Sequence, residues 1–357
     1  MRIIVENIMR GNKEMSVYTY KCPNCGGGLN FDPKTQYFIC EFCGSEFTKE
    51  EMETNKPEEA KIQSNQEETL LYSCPSCGAE VITDETTAAT ECFFCHSSVV
   101  LSDRLTGKFS PDEVIPFTVQ KERAIEGLME WIKKKRFVPK AFTCERQLEK
   151  ITGVYFPIWY VDCEVEGAVD ARGTKVRVWQ DSNFRYTETR FFKVSRNGEV
   201  GIKQIPKEAL TKVESELYKS VLPFDESKAV PFTSAYLSGF QAEKRNVEKE
   251  TLIKIVDDEA KHYAKQLLDE TISGYATITN SNYQMNLKNM DWKYTLLPVW
   301  VMTYKDTKKT YYYVMNGQTG KINGKLPVDK KKLGWTSAGI STVVFIILML
   351  FTRGGIS

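Results

Sequence analysis

The sequence predicts a chain of several folded parts: two small zinc ribbons made of strands and loops, an α+β body, and one C-terminal transmembrane helix. Three observations predict it. Two sets of paired cysteines share one spacing, strand and helix signals alternate through residues 110–328, and an uncharged stretch runs from Leu333 to Thr352. The 357 residues leave room for two or three domains.

The cysteines carry the sharpest signal. Cys22-x-x-Cys25 and Cys40-x-x-Cys43 form one set, Cys74-x-x-Cys77 and Cys92-x-x-Cys95 the other, each with fourteen residues between its pairs. The second set repeats the first 52 positions on. Tyr20, Pro23, Gly26, Asp32, Thr35, Phe42 and Ser45 recur as Tyr72, Pro75, Gly78, Asp84, Thr87, Phe94 and Ser97. Four thiolates around Zn²⁺ leave no open coordination position, so such sites fold protein and do no chemistry. Two zinc ions are therefore expected. Gly26, Gly44 and Gly78 follow the second cysteine of a knuckle, where positive φ is wanted, and His96 fills the fourth such slot. A ligand role for His96 is not needed, because the cysteine set is complete without it. Met1 to Glu14 holds no apolar signal stretch, and either Met1 or Met15 serves as a start. Paired knuckles without a secretory signal point to a reducing compartment, where thiols bind metal rather than form disulfides. Rubredoxin-type iron is the rival; paired, loop-rich, polar units favour zinc.

Charge argues against a nucleic-acid grip. The formal net charge is +1, and two filled four-thiolate sites bring it to about −3. From Tyr72 to Val100 there is no Lys or Arg, while phosphate binding needs clustered cations. Tyr37, Phe38, Phe42, Phe93 and Phe94 are expected mainly to form the small cores of the ribbons. Phe93 and Phe94 are also the candidate partner contacts.

The remaining parts follow in order. Residues 1–16 are an N-terminal extension, 17–48 the first ribbon, 49–70 a polar linker, and 71–101 the second ribbon. In the body, 110–328, Ile115-Pro116-Phe117 begins an extended stretch. A helix is predicted over Lys121–Lys135, where Ala124, Ile125, Leu128, Met129 and Ile132 make a stripe. Its basic end, Lys133 to Arg136, suits a helix C-terminus or anionic lipid headgroups. Val154–Trp159 and Tyr294–Trp300 both read aliphatic-Pro-aliphatic-Trp and open strands. Further strands are expected at Thr174–Trp179, Arg185–Ser195 and Tyr275–Asn286. A hairpin turns at Asn316–Gly320. Helices are expected over Lys207–Ser220 and Val247–Thr271, the latter burying Ile253, Val256, Ala260, Tyr263, Ala264, Leu267 and Leu268. Cys144 and Cys163 stand alone as incidental thiols.

Residues 334–352 are read as the transmembrane helix, centred on Thr342–Phe351 with Trp335 as an interfacial anchor. Lys325 and Lys330–Lys332 precede it, which predicts a single-pass, tail-anchored cell-membrane protein with a cytoplasmic body.

The doubled Cys-Pro-x-Cys-Gly ribbons, Val114–Phe117, Gly153–Trp159 and the terminal segment together resemble a YdjG-like family of bacterial membrane-associated proteins. Their ribbons are often labelled transcription-factor-IIB-type or primosomal-helicase-like. The resemblance implies a companion of phage-shock-type envelope-stress proteins that recruits soluble partners to the membrane. The helicase label fails on the residues: Gly107-Lys108-Phe109, Gly320-Lys321-Ile322 and Gly324-Lys325-Leu326 are not phosphate-binding loops. With only His96 and His262 as histidines and no HExxH, the chain does not read as an enzyme, and no catalytic residue is assigned. The expected function is a membrane-anchored zinc-ribbon adaptor whose partners are cytoplasmic or membrane-associated proteins and membrane lipid. The competing reading is a membrane-tethered nucleic-acid-binding regulator using the ribbons.

Overall fold

The computed structural model describes residues 16–54, 58–61, 69–74, 80–84, 86–92, 98–101, 105, 109–139, 148, 150–211, 219–306 and 309–354. The chain divides into two units. One comprises Met1–Phe156, Lys212–Lys244 and Leu296–Ser357, the other Pro157–Thr211 and Arg245–Thr295.

The first ribbon is a three-stranded antiparallel sheet of Leu29–Phe31, Phe38–Cys40 and Glu46–Phe47. It docks on the body segment that follows Thr233. The Phe31 N–H donates to the Ser238 carbonyl (3.1 Å), and the Tyr20 and Ser234 hydroxyls lie 2.6 Å apart. Phe31, Phe38 and Tyr236 cluster with ring centroids 5.1–6.1 Å apart.

The second ribbon reproduces the register of the first ribbon's hairpin around its second knuckle, while its strand Glu80–Asp84 pairs instead with Thr69–Ser73. Ile39 faces Glu46 and Phe38 faces Phe47; 52 positions on, Glu91 faces Ser98 and Thr90 faces Val99. Here, however, the strands Thr87–Glu91 and Ser98–Val100 belong to the body's sheet, with Ala89 opposite Ala242 and Val100 opposite Tyr18.

Residues 49–70, expected as a solvated linker, contain regular structure. A short helix, Lys49–Thr54, starts with a reciprocal cap in which Thr48 Oγ1 accepts from the Glu51 N–H and Glu51 Oε2 accepts from the Thr48 N–H. Strand Glu58–Lys61 pairs antiparallel with Ser16–Thr19.

The core of the first unit centres on Phe117. Its ring is stacked on Phe240 at 4.3 Å and packs against Tyr155 and Trp300 at 5.0 Å. The helix predicted at Lys121 runs Lys121–Lys133 and buries Ala124, Leu128 and Ile132. Strand Lys309–Asn316 turns through Asn316–Gly320 and pairs with Ile322–Lys325, as the turn residues predict.

In the second unit, strand Thr152–Gln180 pairs from Ile158 onward with Arg185–Glu208. Helix Lys249–Glu270 sets Val256, Ala260 and Ala264 on Val161, Cys163, Val165 and Ile205. Burying one such valine contributes roughly 1.5–3 kcal/mol. Ile253, Tyr263 and Leu267, expected on that buried face, are exposed. The small residues Ala260 and Ala264 bring the helix close along a narrow stripe, and only Val256 and Leu268 share it. Strand structure continues to Glu208, where a helix was expected to have begun; residues 212–218 of that prediction lie outside the described residues. Trp159 Nε1 donates to the Val247 carbonyl (3.0 Å), and Arg245 lies over the Trp159 and Tyr294 rings.

The C-terminal segment is helical over Lys330–Gly354, but among the described residues no helix is long and apolar enough to cross a membrane. This corrects the expected transmembrane helix at 334–352, and with it the single-pass, tail-anchored placement and the orientation deduced from its flanks. The reason is length. The continuous apolar run, Thr342–Phe351, spans about 15 Å as a helix against a hydrocarbon core of roughly 30 Å. The turns before it are diluted by Gly334, Thr336, Ser337, Gly339 and Ser341.

Candidate metal centre

Cys22, Cys25, Cys40 and Cys43 converge, with all four sulfurs within 4.8 Å of one another. The pairs cross between knuckles: Cys22 Sγ lies 3.6 Å from Cys43 Sγ, and Cys25 Sγ lies 3.4 Å from Cys40 Sγ. A tetrahedral ion with metal–sulfur bonds of about 2.3 Å needs sulfurs about 3.8 Å apart. The cluster has that size, so it can hold one metal ion.

The two knuckles are built alike. In each, the N–H of the first cysteine donates to the carbonyl five residues on, Gly27 at 2.6 Å and Ser45 at 2.9 Å. Its carbonyl accepts from the glycine four residues on, Gly26 and Gly44, both at 2.8 Å. Those glycines adopt φ of 75° and 71°, a region that side chains disfavour. Cys22 and Cys40 are buried, whereas Cys25 and Cys43 are exposed. The metal would thus close the knuckle from the solvent side.

Hydrogen bonds tune the sulfurs. The Gly27 N–H reaches Cys25 Sγ at 3.4 Å, and Ser45 Oγ lies 3.1 Å from Cys43 Sγ. The Ser45 hydroxyl, then its N–H, pushes the Cys43 thiol down to about 6. In Cys25 the Gly27 N–H pulls downward, but the neighbouring Cys40 and Cys43 sulfurs prevail and push it up to about 12. A bound cation favours the thiolate form of its ligands, so metal binding at this cluster is coupled to proton release.

In the second ribbon Cys74 and Cys92 are buried. Cys77, Cys95, His96 and the candidate contacts Phe93 and Phe94 lie outside the described residues. Elsewhere, Cys163 is buried in the second unit and burial pushes its thiol up to about 11, in keeping with an inert thiol. Cys144 is outside the described residues.

One feature of the site was missed in the sequence. Phe42, between Cys40 and Cys43, was expected in the ribbon core, but it is 82% exposed. Its ring lies across Gly27, where an added Cβ would come within 2.5 Å of it. Phe38 alone of the first ribbon's three candidate aromatics is fully buried; Tyr37 is 42% exposed. The signal was the repeat itself, since Phe42 is the counterpart of Phe94.

Over 334 residues the chain is 34% identical to the uncharacterized protein YdjG of Bacillus subtilis (strain 168), covering 94% of this chain and 97% of that one. The chain belongs to the YdjG family. No protein-family model matches it, and no solved structure does. Membership of the YdjG family brings no activity with it, so function has to be argued from the site.

Proposed function

We propose that this YdjG-family chain is an adaptor that recruits or organises other proteins, with zinc-held ribbons as its docking modules. The observation that carries the reading is Phe42. A large aromatic side chain stands 82% exposed on a knuckle stiffened by two fixed backbone turns and a four-cysteine cluster. Rigid aromatic anchors lose little entropy on binding and dominate protein interfaces. A four-thiolate site has no open position for a substrate, which favours a structural ion and, among metals of that preference, zinc. By the repeat, Phe94 offers the matching contact on the second ribbon, with Phe93 beside it.

The test is affinity capture with the full chain, comparing wild type with Phe42→Ala and with Cys25→Ser/Cys43→Ser. Specific proteins held by wild type and lost from both variants support the adaptor reading. A capture profile unchanged by either variant overturns it. Salt-sensitive retention of RNA or DNA through the ribbons would instead establish the nucleic-acid reading.

A further inference from the structure

We infer that the first unit carries a peripheral binding site for an anionic phospholipid at the junction of the Lys121–Lys133 helix and the C-terminal helix. This goes beyond the adaptor reading, does not depend on it, and requires no helix to cross a bilayer.

The site is a pair of adjoining grooves of about 450 and 550 Å³ that share Arg136 and Phe137. That is the size range of small-ligand sites. Trp131, Leu326, Pro327 and Val328 line the first groove, and Trp335 lines the second. Val328 is 53% exposed and Trp335 83% exposed, so apolar surface faces outward rather than into a core.

Cations rim this floor from two directions. Lys134, Lys135 and Arg136 follow the end of one helix, and Lys331 and Lys332 stand in the first turn of the other. The first three complement a helix C-terminus and need no further explanation. The second pair sits at the wrong end of its helix, where the dipole disfavours cations. The carboxylate at hand is Asp329, and its Oδ1 already accepts from the Lys331 and Lys332 N–H groups at 3.0 and 3.1 Å. Lys332 Nζ is 4.0 Å from that carboxylate and also donates to the Val138 carbonyl. Among the described residues, no carboxylate pairs with Lys134, Lys135, Arg136 or Lys331.

Five cations against one engaged carboxylate, around an apolar floor, match a ligand with an anionic head and an acyl chain. The phosphate would lie between Lys134–Arg136 and Lys331–Lys332, and the chain along Phe137, Val328 and Trp335. A nucleic acid would use the cations but leave the floor unmatched. An apolar peptide would do the reverse.

The test uses the full chain and co-sedimentation with vesicles of phosphatidylglycerol in phosphatidylcholine, set against phosphatidylcholine alone. Two variants separate head from floor: Lys134→Gln/Lys135→Gln/Arg136→Gln and Val328→Ser/Trp335→Ser. All of these side chains are exposed, so both variants should fold, which their thermal melting checks. Wild type should bind the anionic vesicles selectively. The charge variant should lose about a hundredfold in affinity, and the floor variant about tenfold with every cation intact. Three results overturn the inference. One is no preference for anionic vesicles. Another is wild-type binding by the charge variant. The third is wild-type binding by the floor variant, which would mean diffuse attraction without a groove.

Discussion

The two ribbons are the same sequence unit twice, yet they are embedded differently. Strands Leu29–Phe31, Phe38–Cys40 and Glu46–Phe47 of the first form a small sheet of their own, which meets the body around Tyr236 and Ser238 and through Gln36 and Asp32, while its leading strand Ser16–Thr19 lies in the body's sheet. The second gives two strands, Thr87–Glu91 and Ser98–Val100, to the body's sheet, between Gln241–Glu243 on one side and Ser16–Thr19 on the other, while Thr69–Ser73 and Glu80–Asp84 pair in a separate two-stranded sheet. The difference traces to two positions. Gln36 and Tyr37 of the first ribbon correspond to Ala88 and Ala89 of the second. Gln36 adopts φ of 61°, Tyr37 is half-exposed, and the strand begins only at Phe38. Ala88 and Ala89 are fully buried in a strand that already begins at Thr87, where a third strand can approach. Small side chains at these two positions leave room for the neighbouring strand Gln241–Glu243 to pair.

The comparison breaks most directly on metal removal. Structural zinc supplies on the order of 10 kcal/mol in small zinc modules. Chelation, or Cys40→Ser, should abolish amide-exchange protection at Leu29–Phe31 and Phe38–Cys40 while Ala89, Val99 and Val100 stay protected by the body's ladder. Loss at both ribbons together would show that the second depends on metal as much as the first. Acid should act in the same direction. In the metal-free cluster the Cys43 thiol is lowered, so its contribution exists above the unfolded thiol's value and fades as pH falls through about 6. Protons also compete with metal for every sulfur, so metal release monitored against pH should increase toward acid and never toward base.

Next in size is the docking of the first ribbon. Tyr236→Ala removes a buried ring that touches both Phe31 and Phe38, and large-to-small changes of this kind cost roughly 3–5 kcal/mol. Urea unfolding should register the loss, and exchange should accelerate in the first ribbon's strands before those of the second. Equal acceleration in both would erase the distinction. The reciprocal change, Ala89→Tyr, restores the first ribbon's residue where no space exists. Overpacking should cost about 1–3 kcal/mol, whereas Tyr37→Ala should stay within about 0.5 kcal/mol. If Ala89→Tyr is equally mild, burial at that position does not explain the different embedding.

Much of this architecture was legible in the chain. The 52-residue offset foretold two like units, and the register of the hairpin around the second knuckle follows it, because a tight Cys-x-x-Cys knuckle fixes where each strand must start. Glycines at 26 and 44 were legible for the same local reason. What could not be read was long-range. Nothing in Phe31 or Phe38 names Tyr236 as the third ring, about two hundred residues away. Residues 58–61 are too polar to announce a strand, since an edge strand held by backbone bonds needs no apolar face. The C-terminal segment from Leu333 to Thr352 is uncharged, but its continuous apolar run, Thr342–Phe351, is short, and only the first of these features stands out in the sequence.

The smallest expected effect on stability concerns the residue with the largest expected effect on binding. Phe42 is 82% exposed, so Phe42→Ala should alter the unfolding midpoint by no more than about 0.5 kcal/mol. A side chain kept apolar and outward on a closed metal knuckle contributes little to folding, so its value has to lie in contact with something else. If Phe42→Ala instead costs several kcal/mol, the ring is holding the Gly27 turn in place. The exposed aromatic would then be a clasp for the metal site, and the difference between the ribbons would be one of stability rather than of partner binding.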